Sequence, residues 1–435
     1  MLRTIKMIPP DGGWGWVIMF AYVLSNFIFI PIQQNFGLLF KDTFKSLGLS
    51  GSKVTSIIGT NMALSCLIGI AAGPLVNRFK IRKIAFAGSV LFCVGFISTV
   101  FANTYLEFLM YYGIINGIGL GILRLTAQLS LNLYFLKRRN KVVGVTLGLR
   151  SLGSIVMPQL IVLLLATYGI KSAVLYIGGL SLHLLCTSLF LQPVEWHSKL
   201  ANDEPEIELV NLLSDDDKMQ DSKENIVNKI VNMFDLTLFR NDTFLIITIG
   251  MMFSVFADVN FSTLFALILE DLNFSNQQIA IFISTSYISN VIVRILSPFV
   301  GDFFKLSSRL MYLLSILMVI SGRFAITYLG NAKLITAISV LWGAAKGVRT
   351  VYWGVIIADN VSPERLASAE SIQMVLNGIL MLIGGSLLGF IKDVTGSYVN
   401  CVYLLNALSF VTFLLWSTEM IYKKMKKNKC EPLVL

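Results

Sequence analysis

Six basic side chains interrupt long apolar runs: Arg124, Arg150, Arg294, Arg323, Lys346 and Arg349. One acid, Asp258 in "FSVFADVNF", does the same. A charge at a bilayer centre costs about 2.5–3.5 kcal/mol even on the lenient insertion scale, so such residues face a cavity or a partner. An excess of buried positive charge suits an anionic ligand, because a planar guanidinium can hold a carboxylate through two hydrogen bonds. The plainer alternative for each cation is an interhelical salt bridge. Asp258 has three readings: it neutralises Arg294, it carries a proton, or it closes a structural pair with one of the arginines.

Other chemistry is absent from the pattern. His183 in "LSLHLLC" is a lone imidazole among apolar residues and reads as a hydrogen-bonded packing residue. His197 reads as solvated. No His/Cys pair stands at metal-ligand spacing, and no Walker loop or other cofactor motif is present. An integral-membrane enzyme would need a nucleophile–base or metal constellation, and none is found. Cys66, Cys93, Cys186, Cys401 and Cys430 form no CxxC pair, and the first four sit in apolar runs as small buried residues.

The elements that must position these charges are membrane helices. The 435 residues are 55% hydrophobic and only 14% charged, against about 25% charged in soluble domains. Twelve runs meet the length of roughly 20 apolar residues that a bilayer requires. Six are 14–37, 55–77, 83–103, 108–133, 142–167 and 172–192; the others are 242–268, 277–300, 308–329, 333–357, 367–390 and 398–422. An acidic, polar stretch at 193–241 separates two halves, 14–192 and 242–422, and reads as a linker. Short tails remain at 1–13 and 423–435, the second basic.

The net charge of +10 does not mark a nucleic-acid binder, since the charges stand in short blocks between apolar runs. Blocks such as "RFKIRK", "KRRNK" and "KKMKKNK" fall on one side of the bundle. The positive-inside rule then makes both termini and the linker cytoplasmic. "GPLVNRFKIRK" from Gly73 is echoed by "SPFVGDFFKLSSR" from Ser297, and "GIGLGILR" from Gly117 by "GAAKGVR" from Gly343. An internal repeat of this kind predicts an all-α membrane protein of the major facilitator type, twelve helices in two six-helix halves, with a site between them near the midplane. The glycines at 117–121 follow no strand and read as a helix-packing face, not a dinucleotide loop.

"DGGWGW" at Asp11, Gly12, Gly13, Trp14, Gly15 and Trp16 resembles the first-helix signature of the monocarboxylate transporter family. "YFLKRR", with Tyr134, Phe135, Lys137, Arg138 and Arg139, resembles that family's fifth-helix signature. "FDLTLFRNDTFL" at Phe234–Leu245 and "ADNVSPERLASAES" at Ala358–Ser371 are similar to two further family stretches. The resemblance implies facilitated or proton-linked movement of small monocarboxylates or related compounds across a membrane, and for some relatives a single-span accessory subunit; the expected location is the plasma membrane. In the first signature, Asp11 is placed to cap the first helix, Gly13 and Gly15 to permit close packing, and the tryptophans to anchor at the interface.

Departures bear on coupling. Family members that cotransport a proton with lactate or pyruvate carry a lysine late in helix one, where this chain has Gln34. They also carry an Asp four residues before an Arg in helix eight; here "NVIVR" gives Asn290 and keeps Arg294. The small-residue run of the fifth-helix signature is interrupted by Arg150. Arg294 is therefore the first candidate carboxylate anchor, followed by Arg150, then Arg124, Lys346 and Arg349. Arg323 has the weakest case, since its helix packs outside the bundle in this architecture. The expected activity is secondary active or facilitative transport of a small organic anion. A proton-independent uniporter of aromatic or amino-acid-like carboxylates is the alternative, and a non-transporting sensor or scaffold the rival of another class.

Overall fold

A computed structural model of the chain describes residues 7–8, 11–68, 79–135, 139–197, 199–200, 236–328, 331–361 and 365–430. Helices dominate because the apolar runs leave backbone groups no partner but their own turn. Ten helical stretches among the described residues are long and apolar enough to cross a membrane. Two further crossings complete twelve. The helix Gly51–Leu67 runs into residues that are not described, and Arg139–Ser181 holds the fifth and the start of the sixth crossing, broken at Gly169 with φ +72°. The sixth continues through His183–Phe190. Pro74, one mark of the internal repeat, lies outside the described residues.

The first crossing is not one rod. Trp14–Gln34 ends at Asn35 and the chain restarts as Phe36–Ser46. Pro31 lacks an amide proton and so cannot bond Phe27, four residues back. Gly153 of the fifth crossing packs directly against that Phe27 carbonyl, leaving no room for a Cβ. Just before the break, Gln34 lies beside Arg150, Ser151 and Ser154, while Gln33 turns toward Asn61 and Arg124. The fourth crossing is also irregular: after Tyr105–Phe108 it runs as a wider π-helix over Leu109–Asn116, then as α-helix over Gly117–Tyr134. Its glycine run is a packing face, as expected; a Cβ on Gly119 would overlap the Phe92 backbone and one on Gly117 would sit 3.0 Å from Asn61.

The second half comprises Asp242–Asp271, Asn276–Phe303, Ser308–Tyr328, Ala332–Ala358, Leu366–Thr395 and Val399–Cys430. The halves meet closely at the end opposite the chain termini. There Lys41 lies 3.8 Å from Glu270, and the Ser52 amide donates to Asp393 at 3.0 Å. Gly389 meets Ser52 so tightly that a Cβ would collide with its Cα. Near the midplane, Ser284 donates to the Ile155 carbonyl at 2.8 Å and Arg294 to Ser151 at 3.0 Å across the same boundary.

At the terminus end the two signature motifs dock on each other. The Asp11 amide donates to the Tyr134 carbonyl at 3.3 Å, and a Cβ on Gly15 would sit 2.9 Å from the Phe135 ring. Trp16 meets Phe135 edge-on at 5.5 Å. The cap position of the first helix is Gly13, with φ +55°, and not Asp11. Met7–Ile8 pairs antiparallel with Lys199–Leu200, a two-strand ribbon joining tail to linker. His197 is not free in solvent: it stacks on Trp14 with 5.2 Å between ring centroids, and its Nε2 is 2.8 Å from Gln192 Oε1. Lys137 and Arg138 lie outside the described residues, as does the Arg139 side chain.

Candidate functional site

Where the two halves face each other at mid-depth, about 70 Å³ of space remains between them. That is room for a few waters or a small organic acid, since one water needs about 10–15 Å³ on this measure. Gln34 and Ile30 reach it from the first crossing, and Arg150, Ser151 and Ser154 from the fifth. Tyr287, Asn290 and Arg294 reach it from the eighth, and Lys346 from the tenth. Five sequence candidates on four different helices thus converge on one cavity: Gln34, Arg150, Asn290, Arg294 and Lys346. No acid lines it among the described residues.

Several of these side chains bond neutral groups. Arg294 donates from Nη2 to Asn290 Oδ1 at 2.8 Å and from Nη1 to Ser151 Oγ at 3.0 Å, across the boundary between halves. The first bond is the helical i, i+4 relation that the NVIVR spacing provides. Asn290 is 2% exposed, and its Nδ2 finds no partner among the described residues. Arg150 donates only weakly, to the Tyr22 hydroxyl at 3.4 Å. Ser154 donates to Gln34 Oε1 at 2.8 Å. Lys346 donates to Ser262 Oγ at 2.8 Å and sits over the rings of Tyr287 and Trp342, 5.2 and 5.3 Å from their centroids. Such ring faces attract a cation without neutralising it.

Arg124 stands apart from the lining. It donates to Gln33 Oε1 at 3.1 Å, and Gln33 leads through Asn61 to Asn116, whose amide ends on the Phe92 carbonyl. This buried chain of amides carries a cation at one end.

Asp258 and Arg349 lie outside the cavity. Asp258 does not reach Arg294; it pairs instead with Arg323 at 2.7 Å and with Arg349 through its other oxygen. Arg323 also donates to Ser409 Oγ and lies over the Phe261 ring, while Arg349 donates to Ser254 Oγ. The cluster ties the seventh, ninth, tenth and twelfth crossings together. Arg323 is fully buried because its helix, though peripheral, turns one face inward. Of the three readings of Asp258, the geometry matches the structural pair. His183 is exposed rather than packed in the core, and its Nδ1 lies 3.0 Å from the Leu180 carbonyl of its own helix.

Sequence reasoning missed Ile30, Ser151, Ser154 and Tyr287. Helical spacing carried the signal: 30 and 34, 150 and 154, and 287, 290 and 294 share faces one turn apart.

The sequence pattern of the Major Facilitator Superfamily matches residues 15–302 and 247–429. Monocarboxylate transporter 2 of Mesocricetus auratus is 25% identical over 400 residues, covering 90% of this chain and 81% of that protein. Monocarboxylate transporter 1 of Homo sapiens is 23% identical over 416 residues, with coverage of 90% and 81%. Among solved structures, the nucleoside transporter NupG superposes with a TM-score of 0.69 at 14% identity, covering 94% of this chain and 99% of that one. At such identity the last likeness concerns the fold alone. The relatives are carriers and not enzymes, and the helices make this an integral membrane protein. Twelve crossings in two halves, the cavity between them and a pattern match over almost the whole length agree: the chain belongs to the Major Facilitator Superfamily, and it is similar to the monocarboxylate transporters within it.

Proposed function

We propose that the protein is a facilitative carrier of small organic anions, monocarboxylates or related acids, working by alternating access. The observation that carries this reading is the cavity between the halves, lined by Arg150, Arg294 and Lys346 and by no acid among the described residues. Arg294 is the carboxylate anchor, with Asn290 holding its guanidinium in place and Arg150 approaching from the other half. The names of the relatives support a carboxylate cargo.

Coupling follows from which groups can carry a proton. Gln34 and Asn290 cannot titrate, arginine does not deprotonate in proteins, and Asp258 is engaged by two arginines. Among the described residues that line the cavity, Lys346 and Tyr287 are the remaining groups able to exchange a proton; we read the carrier as proton-independent. The positive-inside bias sets the termini in the cytoplasm, and the shut end opposite them corresponds to an inward-facing state at the plasma membrane.

Counterflow in proteoliposomes tests the reading. Vesicles preloaded with unlabelled carboxylate are expected to accumulate the labelled form, and Arg294→Gln to lower that rate at least tenfold. Absence of counterflow for every carboxylate offered would replace the carrier by a membrane sensor or scaffold.

A further inference from the structure

Charge arithmetic at the cavity goes further than a single carboxylate. Three cations line it, Arg150 and Arg294 from opposite halves and Lys346, with no lining acid among the described residues. Arg150 has no acidic partner there; its contact is the neutral Tyr22 hydroxyl. Lys346 has a hydroxyl and two aromatic faces, which leave its charge in place. Behind the lining, Arg124 adds a fourth cation bonded to the Gln33 amide. Asp258, the acid deepest in the second half, is consumed by Arg323 and Arg349. An uncompensated charge in a low-dielectric interior is costly, and a bound counter-charge removes that cost. With a single carboxylate on Arg294, Arg150 and Lys346 would still face the cavity with no acid among its described lining residues.

On the carrier reading given above, we infer that the preferred substrate carries two negatively charged groups. It is a short-chain dicarboxylate, with one carboxylate on Arg294 and the second on Arg150. The buried Asn290 Nδ2, unpartnered among the described residues and at the cavity wall, is a further donor for an acceptor oxygen. Because the two guanidiniums belong to different halves, a dianion between them joins the halves where a monoanion on one of them cannot. Substrate charge and closure of the cavity are then the same event. The small volume, about 70 Å³, limits the acid to a few carbons between its carboxylates.

Matched pairs of equal carbon number test this on the wild-type carrier: butyrate against succinate, and valerate against glutarate. Counterflow at limiting concentration is expected to favour the dicarboxylate of at least one pair tenfold or more. The same dicarboxylate, at equal concentration, is expected to raise the thermal midpoint of the detergent-purified protein more than its monocarboxylate partner does. Arg150→Gln is expected to lower the dicarboxylate-to-monocarboxylate ratio at least tenfold, with Arg150→Lys intermediate. The thermal comparison on wild-type protein stands even where the Gln variant does not fold. Equal or faster exchange of the monocarboxylates, or a ratio unchanged in a folded Arg150→Gln protein, overturns the inference and leaves the carrier reading intact. No exchange of any of the four acids overturns both.

Discussion

Arg323 Nη2 lies 2.7 Å from Asp258 Oδ1, joining the ninth crossing to the seventh inside the second half. The other oxygen of Asp258 takes Arg349 from the tenth. One acid thus serves two arginines, with Asp258 only 15% exposed and Arg323 not at all. Buried ion pairs of this kind add little net stability over an apolar replacement, but removing one partner strands a charge.

Asp258→Asn is therefore expected to destabilise the protein by about 3–5 kcal/mol, the cost of breaking a buried pair from one side. Arg323→Met and Arg349→Met each leave a one-to-one pair and should cost clearly less than the Asn variant. Thermal unfolding of the three purified variants checks the order. A carboxylate acting as a proton carrier would instead show itself in the pH profile of exchange, which we expect Asp258→Asn to leave unchanged per folded molecule.

Lysine at position 294 keeps the charge and loses the planar fork that matches a carboxylate. Arg294→Lys is expected to raise the half-saturating substrate concentration about tenfold, the value of one charge-assisted hydrogen bond of about 1.4 kcal/mol. Concentration series of counterflow, with maximal rates compared per milligram of reconstituted protein, give the answer.

Gly389 and Ser52 meet with no space for a side chain at the end opposite the termini. Gly389→Val should hold that end apart and cut exchange at least tenfold while the protein remains monodisperse. A thiol at position 154, introduced as Ser154→Cys, should become reactive to reagent added from that side. Lys41→Gln acts at the same seam more gently. The Lys41–Glu270 contact is 3.8 Å long, with Glu270 29% exposed, so its loss should shift the balance between states by at most about fivefold, or about 1 kcal/mol.

With no lining acid among the described residues, changing the external pH while the membrane voltage is held by potassium and valinomycin should alter uptake less than twofold. A larger effect would assign coupling to Lys346 or Tyr287, and the matching variant, Lys346→Gln or Tyr287→Phe, should then abolish it.

The twelve apolar runs and the two tryptophan- and tyrosine-led signatures were readable because they are local: length, hydropathy and spacing suffice. The first crossing shows where local reading stops. Pro31 announces a weak point, but the restart at Phe36 depends on Gly153 pressing on the Phe27 carbonyl from another helix. Gln34, Arg150, Asn290, Arg294 and Lys346 were legible as buried polar residues with no business in lipid, and they converge. Arg349 was legible by the same rule and does not reach the cavity. It stands three residues past Lys346, nearly a turn further along the helix, and at that depth Asp258 takes it. Which of two neighbouring cations meets the cavity is decided by an acid 91 residues away in sequence, a distance no periodicity encodes. Asp11 offered a helix cap by residue type, but the positive φ of Gly13 moved the helix start past it.

The π-helical stretch at Leu109–Asn116 has a consequence for Arg124. A wider turn is a residue inserted into a helix and healed in place, and it turns everything after it by about 100°, the step of one residue on a 3.6-fold spiral. The segment Gly117–Tyr134 inherits that rotation, and with it Arg124 arrives against Gln33. Straightening the stretch by deleting one residue would swing the guanidinium off the amide chain without altering a single atom near it. The heading of this cation is thus written two turns upstream, in the thread pitch of its own helix.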